Sequence, residues 1–133
     1  MGIAILIVDD SSMVRRHVRH ALESLGFEVV EAADGESALA QAAQHNPALV
    51  ISDVNMAPMN GFELIAALRA RYSRSDLPIL MLTTEADDAM KLRGKQVGAN
   101  GWLVKPFDPE RMSAVVQHVL ASSARAGQGG RTR

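Results

Sequence analysis

The chain has no cysteine among its 133 residues. This absence excludes disulfides, thiolate metal sites and a cysteine nucleophile, and it is typical of a reducing compartment. No apolar run approaches the roughly 20 residues that cross a bilayer, and the apolar start lacks the basic segment of a signal peptide. A formal net charge of -1 gives no general attraction to nucleic acid or to an acidic membrane. We therefore expect a cytoplasmic protein with neither as a partner.

The composition fits one globular domain, with 47% apolar and 22% charged residues. Short apolar or alternating runs predict β-strands at 3–8, 27–31, 48–53, 78–82 and 102–104. Helical spacing of apolar residues predicts helices from Ser11 or Ser12 to Gly26, at 36–45, 61–72 and 86–97, and from Pro109 to about 120. Residues 123–133 show no such period and predict a disordered tail. We expect one domain over 1–122.

Five strands that alternate with five helices predict an α/β fold, a doubly wound parallel sheet with helices on both faces. The run 48–51 is apolar without a break, as in a central strand buried on both sides. Asp53 follows this run and would lie at the carboxyl end of the central strand, where open α/β sheets bind their ligands.

Polar residues follow the other strands as well. Asp9 and Asp10 follow the first strand, Thr83 ends the fourth and Lys105 follows the fifth. Because all strands of a parallel sheet end at the same edge, we expect these side chains to converge on Asp53. Three converging carboxylates repel one another, and Mg²⁺ is the hard cation that would relieve this repulsion.

The same set of side chains suits phosphoryl transfer, which needs mainly positioning and neutralisation of charge. The Thr83 hydroxyl and the Lys105 ammonium can bind phosphoryl oxygens while Asp53 accepts the phosphorus. Each residue alone also has an ordinary structural explanation, as a helix cap or a surface charge. Suitable chemistry at four strand ends together favours the functional interpretation.

Four segments carry a resemblance to a known family. The segments 7–11, 52–56, 82–83 and 104–107 resemble the receiver domains of two-component response regulators, above all the stand-alone chemotaxis-type (CheY-like) members. The resemblance covers about residues 3–120. It implies the flavodoxin-like strand order 2-1-3-4-5, which is described for this family.

The resemblance also implies roles for individual residues. Asp53 would be the phosphoacceptor for a histidine kinase or a histidine phosphotransfer domain, and the protein would catalyse only its own phosphorylation and dephosphorylation. Asp10 and Asp53 would hold Mg²⁺ by their side chains, Asn55 by its backbone carbonyl and Asp9 through water. Thr83 would be the switch hydroxyl and Lys105 the lysine of the site. As a monomer, the protein would contact its target through the fourth helix, fifth strand and fifth helix.

Two features depart from the family pattern. Trp102 stands where the family usually has a smaller aromatic switch residue, often tyrosine, and the usual proline four residues after the phosphoacceptor is replaced by Ala57, with Pro58 next to it. The predicted fourth helix is weak, because Gly94 in its interior costs about 1 kcal/mol relative to alanine. We interpret this helix as a mobile part of the switch. The outer face of the first helix is interpreted as a solvated basic face, made of Arg15, Arg16, His17, Arg19 and His20.

Other functions remain open. A receiver domain from a hybrid kinase or a phosphorelay protein would share the chemistry, although the start at Met1 and the predicted tail favour a stand-alone phosphoprotein. A small Mg²⁺-dependent phosphatase or phosphotransferase could also use an aspartate after a central strand. Such an enzyme would need a second acid where this chain has Asn55 and an insertion that covers the substrate.

Overall fold

A computed structural model describes residues 2–84 and 87–131, with side chains up to Ser122. Its five strands are β1 (Ala4–Val8), β2 (Glu28–Ala32), β3 (Leu49–Asp53), β4 (Ile79–Thr83) and β5 (Gly101–Val104). Its helices are α1 (Ser12–Glu23), α2 (Gly35–His45), α3 (Gly61–Arg69), α4 (Asp88–Val97) and α5 (Pro109–Arg131). The predicted alternation of strands and helices is confirmed.

All neighbouring strands pair in parallel, in the order β2-β1-β3-β4-β5. This order, which the family resemblance implied, is confirmed. It places β3 at the centre of the sheet, and every residue of β3 is buried. Because β1 and β4 flank β3, the residues that end these three strands become neighbours at one edge.

The core lies on both faces of the sheet, since successive side chains of each strand point to opposite sides. On one face Leu6 and Val50 pack with the inner residues of α2 and α3. On the other face Ile5 and Ile51 pack with the inner residues of α1 and α5. Strands buried on both sides explain why their sequences are apolar without alternation.

Local capping sets the helix starts. Ser11 Oγ accepts a hydrogen bond from Val14 N, and Asn60 forms a capping box with Glu63. Asp87 caps α4 by accepting from Met90 N, so α4 begins at Asp88. The start predicted at 86 lies outside the described residues.

Three helix ends differ from the predictions. The helix α1 ends at Glu23 and α3 at Arg69, so both stop about a turn earlier than the apolar spacing indicates. The helix α5 continues to Arg131, although the sequence predicts an unordered segment from 123. Segment 123–126 contains alanine and arginine, both good helix formers, so a helix can continue there without an apolar period. The domain bounds 1–122 and the disorder of 123–133 stay predictions.

Within the described part of the chain, no helix has the length and apolar character needed to span a membrane.

Candidate functional site

Three carboxylates meet at the carboxyl edge of the sheet. Asp53 ends β3 and is 4% exposed, while Asp9 follows β1 and is fully buried. Asp10, the next residue, is exposed. Each of the three offers one oxygen, and these oxygens lie within 4.8 Å of one another. The convergence that the strand ends predicted is confirmed for these aspartates.

The ammonium of Lys105 lies inside this cluster. Its Nζ is 3.0 Å from Asp9 Oδ2 and 3.1 Å from Asp53 Oδ1, and its side chain is 19% exposed. The backbone N–H of Lys105 donates to the Thr83 carbonyl at 2.8 Å. This bond fixes the segment after β5 against the end of β4, so that the lysine points at the acidic edge.

Burial and charge shift the pKa values of this cluster. Burial raises the pKa of Asp53, and the neighbouring Asp9 raises it further. Lys105 and the backbone N–H of Asn55 oppose this shift by donating to the carboxylate. Burial alone would lower the pKa of Lys105, but its two carboxylate partners outweigh burial and raise it. The lysine is therefore held as a cation between two acids.

The turn that carries Asp9 is tied to the surrounding chain. Asp9 N donates to Ala32 O at 3.2 Å, and Asp9 Oδ1 accepts from Ser11 N at 2.9 Å. Arg15 Nη1 donates to Asp9 O at 2.6 Å, while Arg15 Nε donates to Glu31 Oε1 at 2.9 Å. The Arg15 side chain is only 16% exposed. Arg15 is thus a bridge from β2 to the acidic turn.

The interpretation of the α1 arginines as a solvated face is therefore wrong for Arg15. Arg19 is exposed, as expected, and donates at the surface from Nη1 to Glu31 Oε2 at 2.5 Å and from Nε to Glu23 Oε2 at 3.1 Å. Arg16 is exposed as well. One feature of the sequence pointed to the pairing of Glu31 with the arginines. Glu31 lies in a strand in which apolar and polar residues alternate, and such a strand places some side chains outward.

The donor set fits a hard divalent cation. Asp9 Oδ2 is buried and, among the described residues, receives no hydrogen bond of good geometry, although Lys105 lies within ion-pair distance. Lys105 supplies one positive charge that Asp9 shares with Asp53, so the three carboxylates keep an excess of negative charge that a divalent cation would offset. Three carboxylates with one exposed member, Asp10, offer the oxygen ligands and the open side that Mg²⁺ prefers.

The remaining predicted residues lie around this cluster. Thr83, the last residue of β4, is 1% exposed and lies one position beyond Leu82, the register partner of Asp53. Asn55 is exposed in the loop after β3. Trp102 is half-buried two positions before Val104, which pairs with Thr83, and it packs against the core on the α4 side. The aspartates and Lys105 converge directly, whereas Trp102 lies further back on β5.

Comparisons with known proteins agree with this geometry. Residues 5–117 match the family model described as response regulator receiver domain. The chain is 48% identical to the Vibrio cholerae chemotaxis protein CheY4, with a TM-score of 0.83 over 90% of this chain and 99% of that one. It is 30% identical to the signal receiver domain of a signal transduction histidine kinase from Syntrophus aciditrophicus, with a TM-score of 0.81 over 92% of each chain.

A curated relative has a longer chain. The "Probable transcriptional regulator ycf27" of Cyanophora paradoxa is 40% identical over 116 residues, which are 87% of this chain and 47% of the relative. The chain spans about half the length of the curated relatives it matches.

The chain belongs to the response regulator receiver domain family of two-component systems. Receiver domains generally act in signalling rather than as enzymes, bind Mg²⁺ through an acidic pocket, and interact with histidine kinases and downstream effectors. In this chain, Asp9, Asp10 and Asp53 form an acidic cluster at the carboxyl edge of the sheet.

Proposed function

We propose that the protein is a single-domain response regulator that accepts a phosphoryl group from a histidine kinase, or from a histidine phosphotransfer domain, onto Asp53. The observation that carries this proposal is the position of Lys105 Nζ, 3.1 Å from Asp53 Oδ1 at the buried end of the central strand. A carboxylate paired with a fixed cation, next to two further acids, is suited to take up a phosphoryl group and then to hold the added charge.

The transfer is a displacement at phosphorus. A carboxylate oxygen of Asp53 forms a new O–P bond while the P–N bond of a phosphohistidine breaks, and the imidazole keeps the electron pair of that bond. Lys105 favours the ionised form of Asp53 before transfer and can pair with a phosphoryl oxygen afterwards. The Thr83 hydroxyl, at the end of the adjacent strand, is the proposed donor to a second phosphoryl oxygen.

The proposed cation is Mg²⁺, which would neutralise charge on the incoming phosphoryl group. Asp10 and Asp53 would bind it by their side chains, Asp9 through water and Asn55 by its backbone carbonyl. The buried Asp9 Oδ2 and the cluster of carboxylate oxygens support this assignment.

Phosphorylation of Asp53 adds about two negative charges to a crowded strand end. In the proposed switch, Thr83 moves toward these charges and Trp102 fills the space behind it. The surface formed by α4, β5 and α5 then changes its packing and contacts a downstream protein. Strand pairing supports this proposal, because Asp53 pairs with Leu82 next to Thr83 in β4, and Thr83 pairs with Val104 in β5. We propose that the protein acts in the cytoplasm, as a monomer, in a pathway such as chemotaxis.

The direct test is intact mass after incubation with Mg²⁺ and acetyl phosphate. The wild type should gain the mass of one phosphoryl group, and Asp53→Asn should gain none. Asp76→Asn, an exposed acid remote from the cluster in the α3–β4 loop, is the matched control and should behave as the wild type. Phosphorylation that persists in Asp53→Asn would contradict the proposal. Turnover of a phosphomonoester by the wild type would instead favour the phosphatase alternative.

The alternative that this chain is one part of a larger regulator also has support. The chain covers only 47% of the ycf27 regulator from Cyanophora paradoxa, so the same chemistry can belong to one part of a larger regulator. An antibody against this chain, used on a lysate of its native cells, separates the two contexts by the size of the protein it detects. A band at the size of the chain supports the stand-alone regulator, and a much larger band supports a multidomain protein.

A further inference from the structure

Gly94 lies where α4 meets the sheet, and it is buried. A Cβ atom at this position would lie 2.6 Å from Met81 Sδ, 3.0 Å from Trp102 Cζ2 and 3.3 Å from Trp102 Cη2. Non-bonded carbon atoms prefer about 3.5–4.0 Å. The helix therefore approaches the sheet more closely than any residue with a side chain allows, unless Met81 or Trp102 moves.

The two neighbours differ in their freedom to move. Met81 is fully buried in β4, between Ser52 on β3 and Trp102 on β5. Trp102 is half-buried and lines an open cavity of about 470 Å³ together with Leu92 of α4. The indole has space on its outer side that the thioether lacks. A side chain at position 94 would thus press most closely on Met81 Sδ, and because Met81 is fully buried beside Trp102, the displacement would pass to the indole, which can move toward the cavity.

We infer that Gly94 is a positioning residue for Trp102. Without a side chain at position 94, the indole packs inward beneath α4, and a side chain there would turn it outward toward the open cavity. The unfavourable helix propensity of this glycine is then the cost of the inward packing. The inference adds a residue to the proposed switch. Its role in signalling rests on the proposed function. The packing itself does not require phosphorylation of Asp53.

The test compares Gly94→Ala in two backgrounds, the wild type and Trp102→Phe. A phenylalanine ring lacks the Cζ2 and Cη2 atoms that approach position 94, and Met81 can adapt to the space they leave because its thioether chain is flexible. With Trp102 present, Gly94→Ala should lower the melting temperature. In the Trp102→Phe background, it should raise the melting temperature by roughly 3–5 °C, because alanine is the better helix former.

A spectroscopic measurement separates positioning from a merely structural effect. Trp102 is the only tryptophan of the chain, so its emission reports its own surroundings. Gly94→Ala should shift the emission to longer wavelength and make it more accessible to a soluble quencher. If the single variant fails to fold, a folded Gly94→Ala/Trp102→Phe protein that melts at or above Trp102→Phe still supports the inference.

Three outcomes would overturn it. One is an unchanged emission spectrum in folded Gly94→Ala. The second is a higher melting temperature in the presence of Trp102, and the third is an equal loss in both backgrounds, which would assign the crowding to Met81. Acetyl phosphate labelling of Asp53 can succeed or fail in each of these cases, so the two proposals are tested separately.

Discussion

Lys105 and Asp53 are 52 residues apart in sequence and meet at 3.1 Å, with Asp9 3.0 Å from the same ammonium. The two carboxylates are almost fully buried, so the lysine separates charges that would otherwise repel each other in a poorly solvated space. This contact should contribute both to the stability of the unphosphorylated protein and to its chemistry.

The contribution to stability can be measured by a double-mutant cycle. Lys105→Met keeps the length of the side chain and removes its charge, so it should lower the free energy of unfolding by about 1–3 kcal/mol in EDTA at neutral pH. The loss should be smaller in Asp53→Asn, with a coupling of about 1 kcal/mol between the two positions. Urea unfolding of the four proteins gives this coupling, and Lys91→Met at an exposed position is the control. Additive effects would contradict the proposed contact.

The raised pKa of Asp53 predicts a pH-dependent effect of Asp53→Asn. A group with a raised pKa in the folded state stabilises the fold fully below its unfolded value, about 3.9 for aspartate, and loses this contribution as the pH rises through the folded pKa. In EDTA, Asp53→Asn should therefore be more stable than the wild type at pH 7. The difference should shrink as the pH falls toward 4.

Urea unfolding between pH 4 and pH 8 measures this trend, with Asp76→Asn as the exposed control. A wild type that is the more stable protein at pH 7 without a divalent cation would show that Lys105 outweighs burial and Asp9. That result would reverse the direction of the pKa shift assigned to Asp53.

The Arg15 bridge predicts an effect on cation binding. Mg²⁺ should stabilise the wild type, by about 2.7 kcal/mol when its concentration is 100 times the Kd. Arg15→Lys keeps the charge but cannot contact both Asp9 O and Glu31 Oε1 with a planar fork, so it should loosen the turn and weaken Mg²⁺ binding several-fold. Arg16→Lys, the exposed neighbour on α1, should bind Mg²⁺ as the wild type does.

Titration calorimetry and the Mg²⁺ dependence of the melting temperature measure this effect. Sodium chloride at matched ionic strength removes the general effect of salt. Equal Mg²⁺ affinity in Arg15→Lys and Arg16→Lys would show that Asp9 holds its position without the bridge.

The sequence predicted the parts of this protein that follow from local pattern. The β-strands are apolar because both faces of the sheet are covered, and Asp9, Asp53 and Lys105 lie where strands end at one edge. The strand order came from the family resemblance, since periodicity does not determine which strands are neighbours. The Arg15–Glu31 pair spans 16 residues and depends on two different elements. Such contacts leave no period in the sequence, so they had to be found in the structure.

Contacts between elements distant in sequence also occur at the early end of α3, and they support a last prediction. Arg69, the final residue of α3, donates from Nε to Gly98 O at 2.9 Å, from Nη1 to Leu77 O at 2.7 Å and from Nη2 to Asn100 Oδ1 at 2.8 Å. These partners join the end of α3 to the start of β4 and to the α4–β5 connection. Burial, with a smaller effect of Arg74, lowers the pKa of Arg69 to about 10.

Because one planar guanidinium serves all these acceptors, lysine cannot replace it. We expect Arg69→Lys to lower the free energy of unfolding by about 1–3 kcal/mol, since buried carbonyl groups lose their donors. Arg71→Lys is the matched control, because Arg71 is exposed two residues later, and its effect should stay within about 0.5 kcal/mol. Urea unfolding of the two variants decides the point. Equal stabilities would mean that the connections around Arg69 are held by the strands alone, and the guanidinium would then be a consequence of the fold and not one of its supports.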